Sequence, residues 1–420
     1  MMFQASLLQQ LSGNKMKKKI FLYALFVLIL STFTSLMVKW QFSPYVFFIK
    51  DFKKNIAAVV NPSFINTNDL ILETNRHKER DIGSLINLNN IKLAKIIQLN
   101  NFKFQWGNVE IKGLRRIGAA ELIGASFWYV NQEDYKVINK LALGSKITSN
   151  GGIKSVFSIN NKSYVYIAYV DNACATARLI DLDTKEIALQ LPCLPNPENA
   201  DLNASGGGFL QLSNNTALLA TGTPTMANVT HEINQTAQFD KSLWGKILKL
   251  NLVNGKLMVE IFSKGHRNPQ GLAQIGGNIF AVEHGPMGGD EINTIKKGNN
   301  YGWPIQSLGS QYDLESINKS YTKPIATEAP LLSFVPSIGA SYIDKCPQIY
   351  SDYYAPNDCL AISSLRGEAI DFIVHKNGKV LFTEKIQLGA RIRKFFVRGN
   401  TIVAVTDFKG VIIGNLSKLN

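Results

Sequence analysis

Between residues 265 and 304 the chain carries three loops whose side chains could grip a ligand: Gly265-His-Arg-Asn-Pro-Gln-Gly-Leu272, Glu283-His-Gly-Pro-Met-Gly-Gly-Asp-Glu-Ile-Asn293 and Gly298-Asn-Asn-Tyr-Gly-Trp-Pro304. Glycine and proline at this density, interleaved with charged and amide side chains, suit binding loops mounted on a rigid scaffold. Pro269 holds the residue before it extended, so Arg267 and Asn268 can both address one ligand, and the arginine fork suits carboxylate or quinone-type oxygens. In the second loop the glycines let backbone carbonyls approach a cation. Asp290 and Glu291 add hard oxygen donors there, which is calcium chemistry rather than zinc chemistry. Arg366, in Ser364-Leu-Arg-Gly367, and the pair Arg391-x-Arg393 add three more cations. Residues two apart on a strand share a face, so Arg391 and Arg393 form two prongs of an anion clamp. Taken singly, each piece has a plainer reading: a solvated strand face, an acidic turn, or a structural hydrogen bond for His266 or His284. Their order and spacing together favour a site.

The scaffold that must position these loops is all-β. From about residue 100 onward, short strands recur behind turn residues: Ser163–Val170, Thr216–Thr221 after Asn214-Asn215, Asn278–Glu283 after Gly276-Gly277, Lys379–Thr383 after Asn377-Gly378, and Thr401–Thr406 after Gly399-Asn400. Such units, with no convincing amphipathic helix between them, predict radially repeated four-stranded sheets, a β-propeller. A pair of packed sheets is the alternative, and it accounts less well for the recurrence.

The 420 residues are 45% hydrophobic and only 18% charged, enough to bury a large core and inconsistent with gross disorder. A formal net charge of +14 favours anionic partners. The lysines and arginines are scattered and no nucleic-acid motif is present, so nucleic acid is not an expected partner. Residues 1–19 form a basic N-terminus with four lysines at 15 and 17–19, and 20–38 contain no charge. That span is long enough to cross a bilayer, and the basic flank keeps the N-terminus cytoplasmic. We expect a single-pass anchor in the inner membrane with everything beyond it facing the periplasm or cell exterior; a cleaved signal peptide is the competing reading. Met16 reads as the natural start. Residues 39–100 are expected to be a connector and propeller approach, and 101–420 the propeller. Four cysteines, Cys174, Cys193, Cys346 and Cys359, fit an oxidising compartment. The local pairings 174–193 and 346–359 are the simplest of three connectivities, with four unpaired thiols as the alternative.

The three loops, together with Ala237-Gln-x-x-x-Ser-Leu-x-Gly-Lys-Ile-Leu248, resemble the quinoprotein glucose/sorbosone dehydrogenases of the soluble aldose sugar dehydrogenase type. The likeness covers most of residues 150–410. It implies a six-bladed propeller using pyrroloquinoline quinone (PQQ) and calcium to oxidise a sugar or alcohol, with electrons passing to a respiratory acceptor. By that resemblance Arg267, Asn268, Arg366, Arg391 and Arg393 would hold the quinone. The carbonyls of Gly285 and Pro286 would bind calcium, Asp290 would lie near the reacting carbon, and Glu291 and Tyr301 would belong to a second calcium site.

One departure stands out. The family carries its general base on a His-x-Gly-Gly-x-Leu segment, and here that segment reads Asn203-Ala-Ser-Gly-Gly-Gly-Phe-Leu210, with Ser205 at the histidine position. A hydroxyl is too weak a base for this step, and losing a placed base costs about 10²–10⁴ in rate. His284 and Asp290 are the nearest substitutes, with His231 a weaker one. Met287 stands at an arginine of the family motif, Lys394 replaces an acidic residue after Arg-x-Arg, and Val335-Pro-Ser337 lacks an aromatic of the sugar pocket. Two readings follow: a membrane-anchored sugar dehydrogenase with altered catalysis, or a non-catalytic propeller that binds a ligand or partner. A calcium-dependent hydrolase is a distant third, because no nucleophile–base pair is visible.

Overall fold

The turn-strand units pair into six antiparallel sheets. Strands run over Lys162–Asp171, Thr216–Thr221, Asn278–Glu283, Lys379–Gln387 and Thr401–Thr406, so each expected strand is present. This computed structural model describes residues 82–419 apart from 89–90, 124–125, 135–136, 138–140, 142–150, 172–173, 196–199, 225–227, 313–316 and 318–324. The expected basic N-terminus, the 20–38 span and the connector up to residue 81 lie outside the described residues. Among the described residues no helix is long and apolar enough to cross a membrane.

Each sheet has an inner strand, and we number the blades by it: Ile117–Ile123, Gly152–Ile159, Gly206–Gln211, Pro269–Ile275, Ala340–Lys345 and Ile392–Arg398 for blades one to six. The six inner strands contact one another in succession, and the sixth returns to the first, closing a ring. Blade six is built from both ends of the fold. Its strand Gly410–Lys418 pairs with Phe102–Glu110, which in turn pairs with Lys95–Gln98. Blade one takes Ser84–Asn87 as a strand beside Ser126–Asn131. Strand pairing therefore begins before the boundary near residue 100 that alternation suggested, because these early strands complete sheets whose other members lie later in the chain.

The blades pack face to face through large side chains. Phe102, Phe104, Tyr350, Phe372 and Phe395 share one cluster, and Tyr164, Tyr166, Trp244 and Leu248 another. Each fully buried aromatic contributes on the order of 1.5–3 kcal/mol. The Gly-Lys-Ile-Leu segment plays a structural part. Its buried Lys246 ammonium donates to the carbonyls of Thr236, Ala237 and Trp244 at 2.9, 2.9 and 2.8 Å. It gathers these three acceptors in the loop before the strand.

Both local disulfides form, Cys174–Cys193 and Cys346–Cys359, with Cα separations of 5.1 and 5.6 Å. The second ties residues 13 apart across the short helix Gln348–Tyr354, whose Tyr350 hydroxyl donates to Glu384 at 2.8 Å. The double variant Cys346→Ser/Cys359→Ser is expected to lower unfolding stability by about 2–4 kcal/mol. Denaturant titration of parent and variant checks this, and coincident midpoints would show that the link adds nothing.

Candidate functional site

The same irregularity occurs at the start of all six inner strands. Pairing with the second strand slips between Ile117 and Ala119, Ile153 and Ser155, Gly206 and Phe209, Pro269 and Gly271, Ala340 and Tyr342, and Ile392 and Lys394. A bulge of this kind leaves one residue out of the ladder and re-aims its side chain. Gly118, Lys154, Gly207, Gln270, Ser341 and Arg393 lie at these slips, and all six line one cavity of about 370 Å³ on the ring. Gly207 must be glycine, since its φ is +121° and a Cβ there would lie 2.7 Å from the Lys154 carbonyl oxygen. Blades two and three thus touch backbone to backbone.

The cavity wall is strongly cationic. Arg116, Lys154, Arg391, Arg393 and Lys394 line it, and among the described residues no carboxylate does. Beneath the wall, the buried Asp407 accepts Arg393 through Nε at 3.2 Å and Nη2 at 2.6 Å, and the Ile117 amide at 3.1 Å. The arginine pair therefore divides its labour. The Arg393 side chain is 18% exposed and fixed by Asp407, whereas that of Arg391 is 42% exposed and stands 3.9 Å from the same carboxylate. Lys394 donates to the Ala120 carbonyl and lies over the Tyr342 ring. Its charge sits against an aromatic face and a carbonyl, where the resemblance would place an acid.

Asn268 and His284 reach the same cavity. Asn268 Oδ1 accepts from the Gly206 amide at 3.1 Å and from Gln270 Nε2 at 2.7 Å, so its Nδ2 is the atom facing His284 Nδ1 at 3.3 Å. The network thus assigns Nδ1 as an acceptor and puts the proton of neutral His284 on Nε2. Burial lowers its pKa and the Asp290 carboxylate opposes this, while Arg267 and Arg393 lower it further, so the ring is neutral near pH 7. His284 is then a hydrogen-bond donor through Nε2, with the Ala340 backbone as its partner.

Two buried donors lie close by without an acceptor. Arg267 Nε and Trp303 Nε1 have no hydrogen-bond partner, and both residues line a narrow crevice with Glu283, His284, Gly285 and Glu291. A buried unmade hydrogen bond costs about 1–3 kcal/mol. The Arg267 guanidinium lies over Trp303 and donates to the His284 carbonyl and the Tyr312 hydroxyl at 3.2 and 3.3 Å. Glu283 locks the first two loops together. Its carboxylate takes the Arg267 amide at 2.9 Å and Asn293 Nδ2 at 2.8 Å, and meets His266 Nδ1 at 3.1 Å. His266, stacked on Tyr301, is structural.

Other sequence-predicted residues lie differently. Asp290, 1% exposed, accepts the amides of Gly285, Gly339 and Ala340 at 3.1, 2.6 and 3.0 Å, so its oxygens position two turns. Ser205, 0% exposed, is outside the cavity lining; its hydroxyl donates to the Leu202 carbonyl at 2.8 Å, because it ends the short helical turn Leu202–Ala204. Asn203 of that turn is the residue that lines the cavity, with Oδ1 3.2 Å from Arg116 Nη1. Arg366 is exposed beside Gly339 and does not line the cavity. His231 caps a separate helical turn through Nδ1. Tyr301 donates its hydroxyl to the Thr294 carbonyl at 2.7 Å and so does not turn it to Glu291.

For a divalent cation, the described residues hold no cluster of three or more His, Cys, Asp or Glu. The available donors are backbone carbonyls of the Gly285–Gly289 turn and the Glu283–Glu291 pair. A Cβ on Gly285 would lie 2.3 Å from the carbonyl oxygens of both Gly288 and Gly289, so the turn closes only with glycine there. Glu283 and Glu291 share the Asn293 amide. Burial, then the Glu283 charge, push the Glu291 carboxyl up to about 8. Such an electron-rich pocket of hard oxygens fits calcium. Lys154, Asn203, Gln270 and Ser341 escaped the sequence reading; the Gly151-Gly152 and Gly206-Gly207-Gly208 runs were the available signal, since glycine inside a strand marks a bulge.

The sequence pattern of the family described as Glucose / Sorbosone dehydrogenase matches residues 135–413. An uncharacterized protein of Synechocystis is 31% identical over 180 residues, 38% of this chain and 42% of its own length. Aldose sugar dehydrogenase of Escherichia coli is 36% identical over 132 residues, 27% of this chain and 36% of its own length. Quinoprotein glucose dehydrogenase B of Acinetobacter calcoaceticus is 48% identical over 71 residues, 14% of this chain and 15% of its own length. The aligned segments span less than half of each of these relatives. Among solved structures, the apo form of soluble aldose sugar dehydrogenase from Escherichia coli superposes with a TM-score of 0.54 at 20% identity, covering 80% of this chain and all of that one, which supports the fold.

A carboxyl whose pKa is raised on folding holds a proton that the unfolded chain has released, so its contribution to stability falls as pH rises from the unfolded value to about 8. Without divalent cations, Glu291→Gln is therefore expected to gain stability relative to the parent between pH 5 and 8, and to lose that advantage when calcium is added. Melting curves of both proteins with EDTA and with calcium check it; a pH-independent difference would remove Glu291 from the cation pocket.

Proposed function

Because the chain belongs to the glucose/sorbosone dehydrogenase family, we propose that it is a quinoprotein sugar dehydrogenase, oxidising an aldose or related alcohol at the cationic cavity with PQQ and calcium. The observation that carries this reading is a cavity walled by Arg116, Lys154, Arg391, Arg393 and Lys394 into which Asn268 and His284 also reach, with no carboxylate among its described lining residues. A compact polyanion with carbonyl and carboxylate oxygens satisfies both features, and a neutral sugar alone does not.

In this reading Arg391 and Arg393 neutralise carboxylates of the cofactor, with Asp407 fixing the Arg393 fork. Asn268, oriented by the Gly206 amide and Gln270, presents its amide at the same mouth. His284 would meet the cofactor at the same mouth, and Arg267 stands in the crevice that His284 also lines. Calcium would be held by carbonyls of the Gly285-Pro286 turn, with Asp290 keeping that turn closed. The chemistry supplied by the quinone when bound is uptake of two electrons as hydride from the carbinol carbon. Membrane anchoring through residues 20–38 and a periplasmic or exterior location are part of the proposal; two disulfides support export from a reducing cytosol. The electrons would pass to a respiratory acceptor.

A second reading, a propeller that binds without turning over, is favoured by Ser205, which is tied into its own turn, and by the donor tautomer of His284. Reconstitution separates the two. Purified protein given PQQ and calcium is expected to show a raised melting temperature, about 2.7 kcal/mol of added stability at a hundredfold excess over Kd, and dye reduction with at least one aldose. Cofactor uptake without dye reduction across an aldose panel supports the binding reading; no uptake removes both. Ser205→His is expected to lower stability by about 1–3 kcal/mol by overpacking and to add no turnover, which melting curves and dye reduction also check.

A further inference from the structure

Among the cations on the cavity wall, Arg391 and Arg393 belong to the cofactor in the reading above, and Arg116 has no part in it. We propose that Arg116 holds an anionic group of the substrate, so that the sugar oxidised is an acidic one, a uronic acid or a sugar phosphate, in preference to a neutral aldose. This rests on the dehydrogenase reading above and names the substrate class for the same cavity.

The position of the side chain is fixed by its bond. Arg116 is half-buried in the loop that enters the inner strand of blade one at Ile117. Its Nη1 donates to Asn203 Oδ1 at 3.2 Å, and both residues line the cavity. That bond places the guanidinium at the wall, beside the helical turn Leu202–Ala204 that precedes blade three. Among the described residues the Asn203 amide is the only acceptor the side chain meets, and it is uncharged. The neighbouring cations differ in this respect. Arg393 pairs with Asp407 at 2.6 Å, and Arg391 stands 3.9 Å from the same carboxylate. Lys394 donates to the Ala120 carbonyl, and Lys154 has a partner within the protein. A guanidinium keeps its full charge at any working pH and offers planar pairs of N–H groups to a carboxylate or phosphate.

The surrounding field has the sign that such a ligand needs. The charges of Arg116 and Arg393, from blades one and six, both lower the pKa of Lys154, so they act on one region of the wall. Asp201 and Glu133 oppose them there, and neither lines the cavity. Stacking surface for a neutral sugar is scarce by comparison. Phe209 and Tyr342 are the aromatic rings among the described lining residues. Phe209 is stacked on Phe157 at 3.9 Å, and the Lys394 ammonium sits over the Tyr342 ring at 5.1 Å. A wall with few open ring faces and many cations selects its ligand by charge.

Binding and turnover together test this. Protein loaded with PQQ and calcium is melted with glucuronate, glucose-6-phosphate or glucose, and with acetate or inorganic phosphate as bare anions, all at one ionic strength. An acidic sugar is expected to raise the melting temperature at concentrations where glucose and the bare anions do not. The larger of the two acidic-sugar shifts tells a carboxylate from a phosphate. Its kcat/KM is expected to exceed that of glucose by roughly tenfold to a hundredfold, the worth of one hydrogen bond to a charged group. That preference is expected to shrink as KCl is raised. Arg116→Gln is expected to abolish it, mainly through KM, while still showing the PQQ-induced melting shift, and Arg116→Lys to keep part of it. A parent that prefers glucose, or treats both alike, overturns the acidic substrate and leaves the dehydrogenase intact. So does an acidic-sugar shift that the bare anions reproduce, or an Arg116→Gln variant with the parental preference. An Arg116→Gln variant that melts cooperatively yet takes up no PQQ gives the arginine to the cofactor and overturns the proposal too. A parent that takes up no PQQ overturns the dehydrogenase reading and this inference together.

Discussion

An antiparallel ladder fixes which face every side chain occupies, and an extra residue breaks that alternation. This chain inserts one at the mouth of each inner strand, and the lining of the cavity follows from those six insertions. The register slip takes one residue out of the ladder and places it at the cavity. Because each bulge belongs to a different blade, groups distant in sequence arrive at one place on rigid supports. Where the slot carries glycine, at 118 and 207, the wall has no side chain; where it carries lysine, glutamine or arginine, it gains a long polar one.

Charge placement around this ring is asymmetric in depth. Cations face the cavity, and the carboxylates that hold them lie beneath. Asp407 fixes Arg393 and the start of blade one through the Ile117 amide. Glu283 fixes the Arg267 backbone, and Asp290 closes both the Gly285 turn and the Gly339 turn. Each of these buried acids accepts at least two donors, so its oxygens are held in place by the backbone and side chains around it. Orientation and attraction are supplied by different residues, which lets the surface stay positive while the understructure stays satisfied.

Much of this was legible in the chain. Strands with flanking Asn-Gly or Gly-Gly turns were readable because turn chemistry and alternation are local, and the disulfides because their partners are 19 and 13 residues apart. Asn268 and His284, singled out from dense motifs, and Arg391 and Arg393, from a two-residue spacing, line one cavity, whereas Arg267 lines the crevice next to His284. The argument from alternation was incomplete, since Arg393 reaches the cavity through a bulge. Lys154 was invisible because a bulge is a property of pairing, and its sequence neighbours read as an ordinary strand. Ser205 and Asn203 exchange places for a similar reason: a helical turn, absent from the pattern, rotates Asn203 to the cavity and Ser205 away. The capping strands of blades one and six were missed because their partners lie elsewhere in the chain.

The junction of Phe102–Glu110 with Gly410–Lys418 has a further consequence. During synthesis the earlier strand emerges with a bare edge, and its mate arrives only after some three hundred intervening residues. Five blades can assemble while that edge waits, yet the circle stays open until the last strand comes in. A chain cut short would therefore display an unpaired, apolar strand, the kind of edge that recruits other chains. The architecture acts as its own proofreader: only a molecule finished to its final strand can hide that seam.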